Sequence, residues 1–265
     1  MNILVCIKQV PGTDKVEIDT ATGVLKRSGV AGKLNPYDLF GIEMALRLRK
    51  EYGGAVKAIT MGPPQAKSSV LEAIRMGVDG GCVISDRKFA GSDVLATSYT
   101  LSQAIGKTGS FDLIICGKQS TDGATAQVGA ELAEFLDIPH VSNVTEALKI
   151  ENGSITVKID NDSEFLTELV KLPCLICTDG DIGARRPSRR RMVSTDDEPA
   201  QEPVEFVSIA DFADQDETHY GLSGSPTRVE RIFPAEKETS REVLKGDSRE
   251  LADRLFDELK QHKFL

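Results

Sequence analysis

The stretch Leu113-Ile114-Ile115-Cys116-Gly117-Lys118-Gln119-Ser120-Thr121-Asp122-Gly123-Ala124-Thr125-Ala126-Gln127-Val128-Gly129 decides the fold. Leu113 to Cys116 is apolar without polar alternation, the pattern of a strand covered on both faces, as in a parallel sheet with helices on either side. In such a sheet a ligand sits beyond the carboxyl ends of the strands. The loop then feeds a helical pattern whose first amides are unpaired and whose dipole favours an anion such as a phosphate. Gly123, Ala124 and Ala126 keep that surface thin, while Ser120, Thr121, Thr125 and Gln127 offer donors. Two familiar phosphate motifs are absent: Gly117-Lys118 is followed by Gln119 without the upstream glycine of a P-loop, and no G-x-G-x-x-G follows a strand. From these residues alone two readings stand, a nucleotide loop and a tight strand-to-helix turn with an ordinary N-cap.

Upstream, Ile3 to Ile7 reads as the first strand and Lys8-Gln9-Val10-Pro11-Gly12 as the loop at its carboxyl end. Val16 to Asp19 and Val24-Leu25, separated by Thr20 to Gly23, predict a small hairpin. Asn35-Pro36-Tyr37-Asp38 predicts a helix start: Asn35 as cap, Pro36 at the first helical position, Asp38 facing the dipole. The stripe Leu39, Ile42, Leu46 continues that helix to Gly53-Gly54. Val56 to Met61 is a second buried strand, a helix runs from about Gln65 to Met76, and Cys82 to Ile84 is a third strand. Ser92-Asp93 caps a helix to about Lys107 before Leu113 opens the fourth strand. This β-α alternation is the rhythm of a doubly wound, Rossmann-like α/β fold with a mostly parallel sheet. Three strand ends converge on one cleft: Cys6 to Val10, Met61 to Pro63, and Gly117 to Gln127.

After Pro139 the pattern changes to strands with close turns. Val141 to Val144, Leu148 to Glu151, the Asn152-Gly153 turn, Ser154 to Ile159 and Glu164 to Leu172 predict an antiparallel extension. Cys174 and Cys177 have the C-x-x-C spacing of redox and zinc sites, yet on an apolar strand residues three apart point to opposite faces. No second pair completes a metal site. From Thr178 the core pattern fades into Arg185-Arg186-Pro187-Ser188-Arg189-Arg190-Arg191 and an acidic Asp196-Asp197-Glu198. Residues 1–184 are therefore expected to form the nucleotide-binding α/β domain. Residues 185–265 are expected to form an extended docking arm, closed by an amphipathic helix with Leu251, Leu255, Phe256 and Leu259 on one stripe.

The whole chain has 265 residues, 40% hydrophobic and 28% charged, with a net charge of −9. That surplus of acid argues against nucleic-acid binding, which needs phosphate neutralisation. No segment reaches ~18 consecutive apolar residues, so no membrane span is expected. Five scattered cysteines favour free thiols in a reducing, cytoplasmic setting. His140, His219 and His262 lie far apart, and no serine or cysteine sits in a nucleophile context. The absence of a catalytic constellation favours a protein that positions a cofactor, with the cofactor carrying the hard chemistry.

Several motifs then fall in order across nearly the whole chain: Val5-Cys6-Ile7-Lys8-Gln9-Val10-Pro11, Asn35-Pro36-Tyr37-Asp38, Ile59-Thr60-Met61-Gly62-Pro63, Gly117-Lys118-Gln119, Asp122 to Gly129, Leu172-Pro173 and Gly224-Ser225-Pro226-Thr227. As an ordered set they resemble the β subunit of electron-transfer flavoproteins. The resemblance implies a heterodimer with an α subunit that carries FAD, and a nucleotide in the β subunit. By motif match that nucleotide would be lined by Cys6, Asn35, Pro36, Tyr37, Asp38, Met61 and the run Gly117, Lys118, Gln119, Ser120, Thr121, Asp122, Gly123, Ala124, Thr125, Ala126, Gln127 and Val128. In simpler members it is a structural AMP. In electron-bifurcating members it is a second FAD, which takes hydride from NADH. One electron then goes to ferredoxin or flavodoxin and the other, through the α-subunit FAD, to an acyl-CoA dehydrogenase or enoyl-CoA reductase.

Gln9-Val10-Pro11 and the Asp-Gly-x-Thr-Ala-Gln loop look closer to the bifurcating anaerobe type, an electron-transfer subunit of an NADH-dependent complex. The chain departs from that type at Ala124, where an acid is common, and in its arginine cluster, which lies where the family has a partner-docking segment. Outside redox chemistry, an ATP-binding module of the stress-protein sort shares the same architecture.

Overall fold

Strand β1 (Asn2–Cys6) buries Ile3 and Val5 on one face of a sheet and Leu4 and Cys6 on the other, which is why its sequence shows no polar alternation. The computed structural model describes residues 1–12, 32–180, 204–230 and 243–265. After β1 come β2 (Gln9–Pro11), β3 (Gly32–Leu34), α1 (Pro36–Tyr52), β4 (Ala55–Met61), α2 (Lys67–Met76), β5 (Gly80–Ile84), α3 (Val94–Thr108), β6 (Leu113–Gly117) and α4 (Val128–Phe135). There follow β7 (His140–Glu151), β8 (Ser154–Asp160), β9 (Phe165–Lys171), β10 (Cys174–Thr178), β11 (Val204–Val207) and a C-terminal helix α5 (Ser248–Gln261). Among the described residues the main sheet has nine strands in the order β11-β5-β4-β1-β6-β10-β7-β8-β9. It is parallel from β11 to β7 and antiparallel through β8 and β9.

Helices cover both faces. Ile42 and Leu46 of α1 and Val70 and Ile74 of α2 pack with Ile3, Val5 and Ile115 on one side. On the other, Leu101 and Ile105 of α3 and Leu132 of α4 pack with Leu4, Ile59 and Ile114. Burying a side chain of this size is worth roughly 1.5–3 kcal/mol, so both layers hold the sheet strongly. Cys174 lies in the first layer and Cys177 in the second, so the C-x-x-C pair is split by the pleat. All five cysteines are free and buried, and burial pushes the Cys174 thiol up to about 12.

Several local expectations are adjusted by packing. The two strands expected over 141–151 are one strand, β7, with bulges opposite Lys158 and Thr156 of β8. The Asn152-Gly153 turn has both residues at positive φ, 52° and 73°, as a two-residue hairpin requires. β10 returns to the parallel sheet between β6 and β7. Part of the segment expected in the docking arm packs within this chain. β11 pairs with β5, Phe212 stacks on Phe89 with ring centroids 5.6 Å apart, and Tyr220 is buried beside both.

By packing, Met1–Glu230 forms one unit and Arg231–Leu265 a second. Within the second, α5 is capped by Asp247, whose carboxylate accepts from the amides of Arg249 and Glu250. Leu255 and Phe256 are exposed. The hairpin expected over residues 16–25, the arginine cluster 185–191 and the acidic run 196–198 lie outside the described residues. No helix among the described residues is long and apolar enough to cross a membrane.

Candidate functional site

The chain runs from β1 outward through β4 to β5, then returns to the opposite side of β1 as β6. Open α/β sheets place ligands at such a reversal, beyond the carboxyl ends of the strands, here those of β1 and β6. Lys8 follows β1, residues 118–127 follow β6, and Asn35 precedes α1. All three segments meet at this end.

Their meeting point is a hydrogen-bonded junction. Asn35, 1% exposed, does not cap α1 with its side chain, as its sequence position suggested. Its Nδ2 donates instead to the Gln119 carbonyl oxygen at 2.8 Å and to Asp38 Oδ1 at 2.9 Å. Its Oδ1 accepts from the Thr121 amide at 3.2 Å. Asp38 is equally committed: the Lys8 amide donates to Oδ2 at 2.7 Å, and the backbone of Gly117 adds a further bond. Burial raises the Asp38 carboxyl from 3.8 to about 7, against the opposing pull of these bonds. A Cβ on Gly117 would overlap Asp38 Oδ1 and stand 2.8 Å from the Tyr37 carbonyl carbon, so glycine is required there.

Around this junction the remaining residues fall in place. Lys8 Nζ reaches Asp122 Oδ1 at 2.8 Å and Ser120 Oγ at 3.3 Å. Burial pushes the Asp122 carboxyl up, but the bonds from Lys8 and Ser120 bring it below its ordinary value. Gln119 Nε2 donates to the Tyr37 hydroxyl at 3.1 Å, and Gly123 N donates to Ser120 Oγ at 3.3 Å. Cys6 lies in register between Ile59 of β4 and Cys116 of β6, with Met61 ending β4 beyond it. Lys118 is occupied elsewhere: its ammonium pairs with Asp179 at 2.7 Å, which holds its pKa above the ordinary value.

The helix after the loop begins later than its sequence suggests. α4 starts at Val128, because Ala124 (φ 51°) and Ala126 (φ 56°) sit in the left-handed region and cannot continue a right-handed helix. Thr121 to Gln127 are therefore an exposed loop. Left-handed alanines cost about 1 kcal/mol each, and such strain clusters at sites that bind ligands. Among the described residues none accepts from the amides of Thr125, Ala126 or Gln127. A Cβ on Gly123 would meet only Ser120 Oγ, at 3.4 Å, so packing does not demand a glycine there. Free amides beside an unfilled backbone suit the close approach of a phosphate.

Gly224 to Thr227 does not join this junction. Ser225 Oγ accepts from the Asp93 amide at 2.9 Å and donates to the Gly221 carbonyl at 2.7 Å, while Asp93 Oδ2 accepts from Thr227 N at 2.9 Å. The motif thus locks the start of α3. Sequence reasoning also missed a second cluster. His219 Nδ1 lies 2.6 Å from Asp214 Oδ2, and the Tyr99 hydroxyl donates to the same oxygen at 2.5 Å. His219 and Tyr99 line a groove of about 500 Å³ together with Leu95, Phe135 and Pro226. The only signal in the sequence was the five-residue spacing of Asp214 and His219, too common to notice.

The electron transfer flavoprotein domain model matches residues 22–211 of this chain. The chain is 36% identical to the electron transfer flavoprotein subunit beta of Clostridium acetobutylicum over the full length of both. It is 38% identical to the subunit of the same name from Thermoanaerobacterium thermosaccharolyticum, with 98% of each chain covered. It is also 40% identical to the protein FixA of Sinorhizobium fredii, over 88% of this chain and 83% of the relative. Matches of this extent, on a largely parallel α/β sheet whose strand-end loops meet at Asn35 and Asp38, establish that the chain belongs to the electron transfer flavoprotein family as a β subunit.

Proposed function

We propose that this β subunit works in a cytoplasmic heterodimer with an electron-transfer flavoprotein α subunit and holds an FAD at the loops around Asn35 and Asp38. The observation that carries this reading is the exposed loop 121–127, with left-handed Ala124 and Ala126, a glycine that packing does not require at 123, and amides without acceptors among the described residues. Those amides would take the pyrophosphate. Lys8 and Asp122 would hold the loop's shape, and the Asn35 junction would fix its distance from β1. When bound, FAD supplies two-electron uptake from NADH and one-electron delivery to ferredoxin or flavodoxin and, through the α-subunit FAD, to an acyl-CoA dehydrogenase-type partner. The chain's part is to bind, orient and set distances.

The experiment is to co-express the chain with its α subunit, denature the purified complex, and identify the released nucleotides by chromatography. Two equivalents of FAD without AMP support the proposal and justify an NADH-driven assay with ferredoxin. One equivalent of FAD with AMP would leave a simple electron carrier with a structural nucleotide.

A further inference from the structure

We propose that Asp38 is a positioning residue: its carboxylate sits behind the nucleotide loops and is retained at a cost to stability because one side chain there joins the Lys8 amide, the Asn35 carboxamide and the Gly117 backbone, adding to the Asn35 N–H to Lys8 carbonyl bond. This inference rests on the nucleotide reading above. The argument begins with the donor set. The described partners of Asp38 are the Lys8 amide, the Asn35 carboxamide N–H and the backbone of Gly117. An ionised carboxylate only accepts, and it satisfies donors on both oxygens. A neutral acid or an amide would set one of its own hydrogens against one of these donors. Asn35 cannot relieve that conflict by rotating its amide, because its Nδ2 also serves Gln119 O and its Oδ1 serves Thr121 N. The error would pass directly into residues 119–121.

Burial pulls the other way. Asp38 is 4% exposed, and among the described residues no cation forms a salt bridge with it. The groups around it are the Lys8 ammonium, drawn to Asp122 at 2.8 Å, the Cys116 thiol, whose ionisation is suppressed by Cys6 and by burial, and the Tyr37 phenol, which accepts from Gln119. Lys8 lowers the Asp38 carboxyl only through space, and a buried carboxylate without a direct salt bridge weakens a fold, a cost that a neutral residue of the same shape relieves. A residue that packing would rather see neutral, but whose hydrogen-bond partners favour the anion, is placed for function.

The test uses the complex with the α subunit, wild type and Asp38→Asn, at pH 8. FAD and AMP affinities are measured after nucleotide removal, alongside urea unfolding of the same preparations. The expected result is a split: the variant unfolds at the same or a higher urea concentration, yet binds the nucleotide at least ten-fold more weakly. Affinity within two-fold of wild type overturns the proposal. So does a variant that loses stability and affinity together or fails to fold, because that marks Asp38 as a structural residue only. A wild-type complex that binds neither nucleotide refutes the site reading itself, and this inference with it.

Discussion

Asn35 Nδ2 lies 2.8 Å from the Gln119 carbonyl oxygen across 84 residues of sequence, and this bond ties the start of α1 to the loop after β6. The same side chain serves Asp38 and the Thr121 amide, so one carboxamide holds two strand-end segments at a fixed separation. Substituting Asn35 by Ala should leave Asp38 one donor short and the 119–121 backbone unsupported. A buried group stripped of its partner costs about 1–3 kcal/mol. Urea unfolding should show a loss in that range, with less nucleotide retained on purification.

Gly117 and Gly123 should behave oppositely on substitution. Gly117→Ala drives a methyl into Asp38 and Tyr37 and should destabilise by about 1–3 kcal/mol. The Cβ of Gly123→Val meets only Ser120 Oγ, on an exposed loop, so the change should alter stability by less than about 0.5 kcal/mol while depleting the proposed nucleotide. Thermal melts and nucleotide release on the two variants check the contrast. Unchanged nucleotide content in Gly123→Val would refute the placement.

Stability should also carry an imprint of Asp38 in its pH dependence. In the folded chain this carboxyl keeps its proton to about pH 7, against 3.8 as its ordinary value. The folded state therefore binds more protons in between, and stability falls as pH rises from about 4 to 7. The loss attributable to Asp38 amounts to roughly 4 kcal/mol. Urea midpoints between pH 5 and 8 should slope downward in wild type, and the slope should flatten in Asp38→Asn.

His219 should titrate above the ordinary histidine value, because its bond to Asp214 favours the imidazolium. Asp214 is in turn lowered to about 2, first by the Tyr99 hydroxyl, then by the Asp216 amide and by His219. Proton NMR of the imidazole should show the His219 transition moving to lower pH in Asp214→Asn. No movement would mean that the pair does not form in solution.

Gly129 sits where α4 packs on β10 and β6, and a Cβ there would overlap Cys177 Sγ. Gly129→Ala should push α4 off β10 and cost about 1–3 kcal/mol. Greater reactivity of Cys177 toward a thiol reagent would report the displacement.

The strands and helices of the α/β domain were legible because their signals are local. Unbroken apolar runs at Ile3 to Ile7 and Leu113 to Cys116 can be buried only on two faces, and Pro36 and Gly53 punctuate α1 through their own backbone preferences. The pleat likewise separates Cys174 from Cys177 whatever surrounds them. Local signals do not specify which strand lies beside which. The insertion of β10 between β6 and β7, and of β11 beside β5, depends on pairings between residues far apart in sequence. The same limit explains Asn35, which looks like a cap until Gln119 and Thr121 are brought beside it, and His219, which looks isolated until Asp214 turns toward it. Sequence by itself determined the elements and the small, polar character of the loop after β6. Only the tertiary structure decided that α4 begins at Val128 and that Asp38 is buried among donors, since left-handed backbone and burial both arise from neighbours that the local chain does not contain.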